Sequence, residues 1–345
     1  MSGGALMAAE IAEQPAVIAR LVARSSDIAA AVAAVRPDPL RGFVLVARGS
    51  SDHAAVYGRY VLEYAAGVPV ALAAPSLQTR YGVVPRLDGF LAIGVSQSGR
   101  TPEVAATMEV LQAGGARTIG LCNDVGSPLA EACEVVVPLG AGPERAVPAT
   151  KTFTATLAAF ALLAQALGDR STGDWPRLVD ALAVAVDDDT GARTAAALLV
   201  GAQRLLQVGR AFLYPVALEA GLKITETTGV ATNGYSPHDL RHGPIAVADA
   251  GVHAVCFSSP GPVAADVERA AADLTARGAR VVAVAERGSD IPAASALIAV
   301  PSGTDELLAP LVHSVRAQQL ALHLAQARGV DPDRPFGLTK VTATE

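Results

Sequence analysis

Charged residues are scarce in this 345-residue chain, 17% of the total against 51% hydrophobic residues. That balance excludes disorder as a general description, because such a chain can bury a large apolar core. Aromatic residues are scarcer still, at 4%, with a single tryptophan. Alanine, valine and leucine carry the apolar character instead, a mixture suited to buried helices and parallel strands. No apolar run reaches the roughly 20 residues that cross a bilayer, so no transmembrane helix is expected. The opening, MSGGALMAAEIAEQP, has no basic stretch ahead of an apolar one, so the expectation is no secretory signal and a cytoplasmic location. An excess of basic residues is also missing. The formal net charge is −6, which argues against nucleic acid and anionic membrane as partners. The three cysteines, Cys122, Cys133 and Cys256, form no C-x-x-C pair. They read as small buried hydrophobes, not as a disulfide framework or a metal site.

At roughly 100–200 residues per domain, the length predicts two domains. Helical spacing of Ile11, Ile18, Leu21, Val22 and Ile28 predicts an N-terminal helical arm over residues 1–36, interrupted at Pro15. Strands are predicted at Phe43–Ala47, Val68–Ala73, Phe90–Val95, Thr118–Cys122 and Val135–Pro138, with helices between them and a closing helix over Lys151–Leu167. Alternating strands and helices imply right-handed crossovers and a doubly wound parallel sheet. The second half echoes the first. Leu205–Val208 precedes Gly209-Arg210, Ala254–Phe257 precedes Ser258-Ser259, and GARVVAV at 278–284 echoes GARTIGL at 115–121. The expected fold is therefore α/β, with two flavodoxin-like three-layer αβα domains in tandem over 37–170 and 190–330, and a tail over 331–345.

Four stretches could carry chemistry. Ser96-Gln97-Ser98-Gly99-Arg100-Thr101 falls between a buried strand and a helix. Free amides at a helix start, with hydroxyl and amide side chains, make an anion site, and a phosphate on a small molecule is its natural occupant. The Lys of a P-loop and the G-x-G-x-x-G spacing are both absent, so ATP and dinucleotides fit poorly. Ser50 and Ser51 occupy the equivalent turn of the first strand, where they either cap the helix or add hydroxyls to the same pocket. Glu219, Lys223 and Glu226 share one helical face, as a surface charge ladder or as part of a site. His238, Asp239, Arg241 and His242 gather in a loop bounded by glycine and proline; histidine is the usual proton-transfer side chain near neutral pH, and metal binding is a minor alternative. Lys340 lies in the tail, where a lysine is either solvated or, folded into a pocket, an imine-forming nucleophile.

These stretches together resemble the sugar isomerase (SIS) family. The match is closest to the tandem-SIS isomerase part of glutamine–fructose-6-phosphate aminotransferase, through AEIAEQP, ARGSS, VSQSGRTPE, ATKTFT, ALEAGLKITE, DLRHGP and DPDRPFGLTKVTATE. The resemblance implies a small phosphorylated sugar held by Ser50, Ser51, Ser96, Gln97, Ser98 and Thr101, with no metal and no other cofactor. It implies that Glu226 moves a proton between sugar carbons C1 and C2 with Lys223 as helper. It also implies that His242 assists ring opening from a neighbouring subunit of a homodimer, and that Lys340 forms a Schiff base. A glutaminase domain with its N-terminal Cys nucleophile is not expected, and Pro148-Ala149 replaces a pattern that ends in a sugar-binding serine. The implied activity is that of a glucosamine-6-phosphate deaminase, with a fructosamine-6-phosphate deglycase or a ketose/aldose phosphate isomerase as alternatives and a non-catalytic sugar-phosphate sensor ranked lower. Two prolines in Ser258-Ser259-Pro260-Gly261-Pro262 remove amide donors, so the phosphate is expected in the first half only. Phe336 and Leu338 are expected to anchor the tail.

Overall fold

The computed structural model of the chain describes residues 3–168, 170, 173–289, 291 and 293–340. The tail expected over 331–345 is therefore described as far as Lys340, and 341–345 lie outside the described residues. Three helices open the chain: α1 (Ala5–Ala12), α2 (Gln14–Val22) and α3 (Ser25–Val35). Pro15 occupies the start of α2, where a missing N–H costs nothing, so the expected interruption is a boundary between helices. Next come β1 (Gly42–Val46), α4 (Ser50–Ala66), β2 (Val70–Leu72), α5 (Pro75–Thr79) and β3 (Phe90–Ser96). They are followed by α6 (Pro102–Ala113), β4 (Arg117–Cys122), α7 (Pro128–Glu131) and β5 (Val135–Pro138). Helices α8 (Lys151–Leu167), α9 (Trp175–Asp187) and α10 (Thr190–Leu199) lead to the second series. That series is β6 (Arg204–Val208), α11 (Tyr214–Thr228), β7 (Thr232–Tyr235), α12 (Pro237–Arg241) and β8 (Val252–Phe257). It closes with α13 (Ala264–Ala276), β9 (Arg280–Glu286), β10 (Ala294–Val300) and α14 (Ala309–Ala327).

The two sheets have one topology. The first runs β2-β1-β3-β4-β5 and the second β7-β6-β8-β9-β10, every pairing parallel. Both follow the doubly wound order in which the second strand lies outside the first. The repeat seen in the sequence is thus a repeat of fold. Strand β1 is buried at all five residues, as a strand covered by helices on both faces must be. Its core continues through Val46, Ala92, Val104, Met108, Leu111 and Leu129. In the second series the equivalent core joins Leu206, Val208, Ala254, Val267, Leu274 and Val281.

The chain divides into two compact units, and their borders cut across the sequence repeat. The first unit holds residues 16–143 and 152–173. The second holds 174–340 together with two stretches from early in the chain, 3–15 and 144–151.

Candidate active site

In the first unit, β1 and β3 are neighbours whose connections leave toward opposite sides of the sheet. A crevice opens at the carboxyl ends of such a strand pair, and both serine-bearing turns lie there. Helix α6 starts at Pro102, yet the Thr101 side chain does not cap it. Thr101 Oγ1 lies 3.0 Å from Ser96 Oγ instead. The turn between them is pinned from below. Gly99 adopts φ 66°, and a Cβ there would overlap the Ser127 side chain. Leu129 N donates to Gly99 O at 3.1 Å, Asn123 N donates to Gln97 O at 3.0 Å, and Arg100 N donates to Ser98 Oγ at 3.2 Å. At the other turn Gly49 is the N-cap of α4, so Ser50 and Ser51 fall within the first helical turn. Two helix starts without side-chain caps thus lie beside these hydroxyls, the features from which the sequence leads one to expect an anion cradle.

Two ion pairs stand at these turns. Arg48 Nε meets Glu103 Oε2 at 2.8 Å, joining the turn after β1 to the first turn of α6. Arg100 Nη2 meets Asp124 Oδ2 at 2.9 Å. The Gly126 N–H and the Arg100 guanidinium hold the Asp124 carboxyl below the usual range. Exposed pairs of this kind add little stability. Their effect here is to set guanidinium groups beside the cradle.

The second unit holds the titratable groups expected to move protons. Glu219, Lys223 and Glu226 on α11 are no surface ladder: Lys223 and Glu219 side chains are 1% and 3% exposed. Lys223 Nζ lies 2.5 Å from Glu226 Oε2 and 3.3 Å from Glu219 Oε1. Burial alone would drive the ammonium toward neutrality, but the two carboxylates overcome it and hold Lys223 above the ordinary lysine range. Glu226 moves the other way from a normal paired carboxylate. Burial raises it, Glu219 adds repulsion, and Lys223 and Lys340 only partly oppose them. A carboxyl raised toward neutrality is suited to proton transfer.

Lys340 is not a solvated tail lysine. Its Nζ lies 2.7 Å from Glu144 Oε2, and the Glu144 side chain is 0% exposed. Glu144 Oε1 also accepts from Thr150 N at 3.0 Å. Glu10 is buried beside this pair and takes the Arg145 and Ala146 amides on Oε1, while its Oε2 has no hydrogen bond. Burial first, and then Glu144, raise the Glu10 carboxyl. The expected apolar anchors fail: Phe336 is fully exposed and Leu338 is 45% exposed. Asp333 anchors the tail instead, its carboxylate accepting from Gly4 N (3.1 Å), Leu6 N (3.0 Å) and Met7 N (2.8 Å) at the start of α1. A polar cap prevails here because each unpaired amide at a buried helix start would be costly.

His242 is exposed at the end of α12, and no hydrogen bond or ion pair of its ring joins it to Lys223, Glu226 or Lys340. Its loop neighbours have local tasks. Ser236 caps α12 through the Asp239 amide, and Arg241 pairs with Asp273 at 2.6 Å. Glu10 and Glu144 were not legible as site residues. They are 134 positions apart, and although Glu10 lies within AEIAEQP, neither residue type nor spacing marks either carboxyl as part of the site.

Comparison with known proteins identifies the family and the fold. The SIS domain family model matches residues 41–166 and 198–328. Glutamine–fructose-6-phosphate aminotransferase (isomerizing) of Methanothermobacter thermautotrophicus is 33% identical over 344 residues, which is 98% of this chain and 57% of that protein. The chain thus spans about half the length of the curated relatives it matches. Among solved structures, one from Silicibacter pomeroyi, named as a candidate phosphosugar isomerase, superposes with TM-score 0.85 at 32% identity, covering 96% of this chain and all of that one. The C-terminal domain of glucosamine-fructose-6-phosphate aminotransferase from Francisella tularensis gives TM-score 0.85 at 23% identity, covering 96% and 98%. No helix among the described residues is long and apolar enough to cross a membrane.

Proposed function

Because the chain belongs to the SIS domain family, we propose that it is a phosphosugar isomerase that couples isomerisation to loss of an amine, converting glucosamine 6-phosphate and water to fructose 6-phosphate and ammonia. The observation that carries this reading is that one unit holds both a half-buried carboxyl, Glu226, 2.5 Å from Lys223 Nζ, and a tail amine, Lys340, 2.7 Å from the buried Glu144 carboxylate. An isomerase needs the first group; the second adds imine chemistry.

In this reading the phosphate docks at the turn formed by Ser96, Gln97, Ser98 and Thr101, with Ser50 and Ser51 contributing hydroxyls. His242, supplied by the second subunit of a homodimer, assists ring opening. Glu226 takes the proton from C2 and returns it to C1, and Lys223 stabilises the carboxylate that exists before the first transfer and after the second. The C2 imine that results exchanges its nitrogen with the Lys340 amine, which releases ammonia. Water then cleaves the lysine imine to give the ketose and the free amine. Lys340 must be neutral to attack, and Glu144 at 2.7 Å is placed to accept its proton.

The test is a panel of aminosugar, fructosamine and ketose phosphates assayed for ammonia and ketose, run with borohydride trapping. The expected result is ammonia from glucosamine 6-phosphate, a trapped adduct on Lys340, and loss of both in Lys340→Arg. Isomerisation of ketose phosphates without ammonia would replace the deaminase reading with a plain ketose/aldose isomerase. Binding without any turnover would leave a sugar-phosphate sensor.

A further inference from the structure

A cavity of about 280 Å³ opens in the second unit, and none of its lining residues takes part in the proposed chemistry. Its floor includes Arg316 of α14, only 4% exposed. All the hydrogen bonds of this guanidinium leave from Nη1. They run to Ala185 O (2.9 Å), to Asp188 O and to Gln319 Oε1 (3.0 Å). Nε is buried without a partner. Nε is closed to solvent, whereas Nη2 makes no hydrogen bond and is not closed off, so Nη2 is the part of the guanidinium left to an occupant. A charged donor of this kind makes a strong hydrogen bond to an oxyanion.

The rest of the lining fits such a ligand. Arg287 brings a second guanidinium, exposed and 3.9 Å from the Asp188 carboxylate, so the three charged groups sum to one positive charge. Leu297, Ile298 and Ala299 line the opposite side. Successive residues of a strand face alternate ways, so three in a row mean that the cavity meets the edge of β10. That strand is the last of its sheet, paired only with β9, and its outer backbone groups have no strand partner. Gly191 in the first turn of α10 keeps the helix close to that edge, since a Cβ there would sit 3.1 Å from Leu297 O.

We propose that this cavity is a second, non-catalytic binding site for a small hydroxylated metabolite bearing one phosphate or carboxylate group. The oxyanion takes Nη2 of Arg316 with help from Arg287, and the hydroxylated body takes the edge of β10. The volume suits a molecule smaller than a nucleotide. Helix α14, which carries Arg316, packs along α11, which carries Lys223 and Glu226. An occupant could thus act on the acid–base helix through one layer of packing.

Two measurements test the proposal on the full chain. Crystals soaked in selenate should show a selenium peak in this cavity that places a selenate oxygen within hydrogen-bond distance of Arg316 Nη2, and malonate soaks should show whether a carboxylate replaces it. In solution, inorganic phosphate and malonate should each be titrated against thermal unfolding of the wild type and of Arg287→Ala, a surface variant that leaves the buried arginine in place. Loss of one exposed charge should weaken the component due to this site about two- to fivefold. A preference for phosphate or for malonate in wild type identifies the oxyanion. Selenate found only at the Ser96–Thr101 turn, or binding at crystal concentration only with the same phosphate and malonate response in both proteins, overturns the proposal.

Discussion

Replacing Lys223 by methionine removes the one cation between Glu219 and Glu226 while nearly preserving shape. Both carboxyls then face a site in which Lys223 itself was 1% exposed. The Glu219 carboxylate, 3% exposed, cannot remain ionised there without its cation, so the folded variant should protonate it, whereas Glu226, 21% exposed, can keep its charge. Starting from an ordinary glutamate pKa, protonation at pH 7 costs about 3.5 kcal/mol, in line with the roughly 3–5 kcal/mol lost when one partner of a buried pair is removed. Folded domains have only about 5–15 kcal/mol in hand. At about 2–4 °C per kcal/mol, the melting temperature should fall by roughly 7–15 °C. The sign of the pH dependence follows. A carboxyl whose pKa is raised in the folded state binds its proton more tightly there, so stability is recovered as pH falls toward the unfolded pKa. Lowering the pH from 7 to 5.5 should therefore restore about 2 kcal/mol relative to wild type. Adding Glu219→Gln to Lys223→Met should recover part of the loss at pH 7, since fewer carboxyls then need neutralising. Thermal and urea unfolding of the three proteins at the two pH values provides the data. A loss under about 1 kcal/mol for Lys223→Met, or one that does not shrink with pH, would refute the account of a buried, charge-compensated triad.

Glu219→Gln alone removes the repulsion that helps raise Glu226, so the acidic limb of kcat/KM should move to lower pH while the fold is kept. Thr101→Val breaks the 3.0 Å contact with Ser96 and deletes a cradle hydroxyl; the KM for sugar phosphate should rise about tenfold, the equivalent of one hydrogen bond. Asp333→Ala leaves three amides of α1 without an acceptor and should lower stability by about 2 kcal/mol, read by urea midpoint. Mixing Glu226→Gln chains with His242→Ala chains should restore part of the ammonia release, because a mixed dimer assembles one intact set; failure despite verified subunit exchange would assign His242 to its own subunit's site.

Much of the architecture was legible because its signals are local. Continuous apolar runs such as FVLV and LAIGV marked the buried strands, and their recurrence marked the repeat. Strand β7 escaped because TNGY is short, polar and at the edge of its sheet, where nothing forces an apolar run. Helices α9 and α10 lie in a stretch whose repeat equivalent is not visible in the sequence. The serine turn was readable from composition, but the absence of a Thr101 cap was not, since Thr before Pro is an ordinary helix start. Spacing put Glu219, Lys223 and Glu226 on one face without saying whether that face met water. The tail misled because Phe336 and Leu338 are its apolar residues, whereas the anchor is Asp333, whose partners are 326 to 329 positions away. Long-range polar contacts leave no periodic trace.

The interleaving of the two units bears on the order in which the chain can fold as it leaves the ribosome. Among the described residues the first unit consists of 16–143 and 152–173, so all of these have been made before the second half begins. Its flanking strips then still lack their partners. Glu144 emerges almost two hundred residues before Lys340, and the Gly4, Leu6 and Met7 amides emerge even longer before Asp333. Until then water satisfies these groups, and burying them without their partners would be costly. The two strips therefore dock last, once the tail has been made.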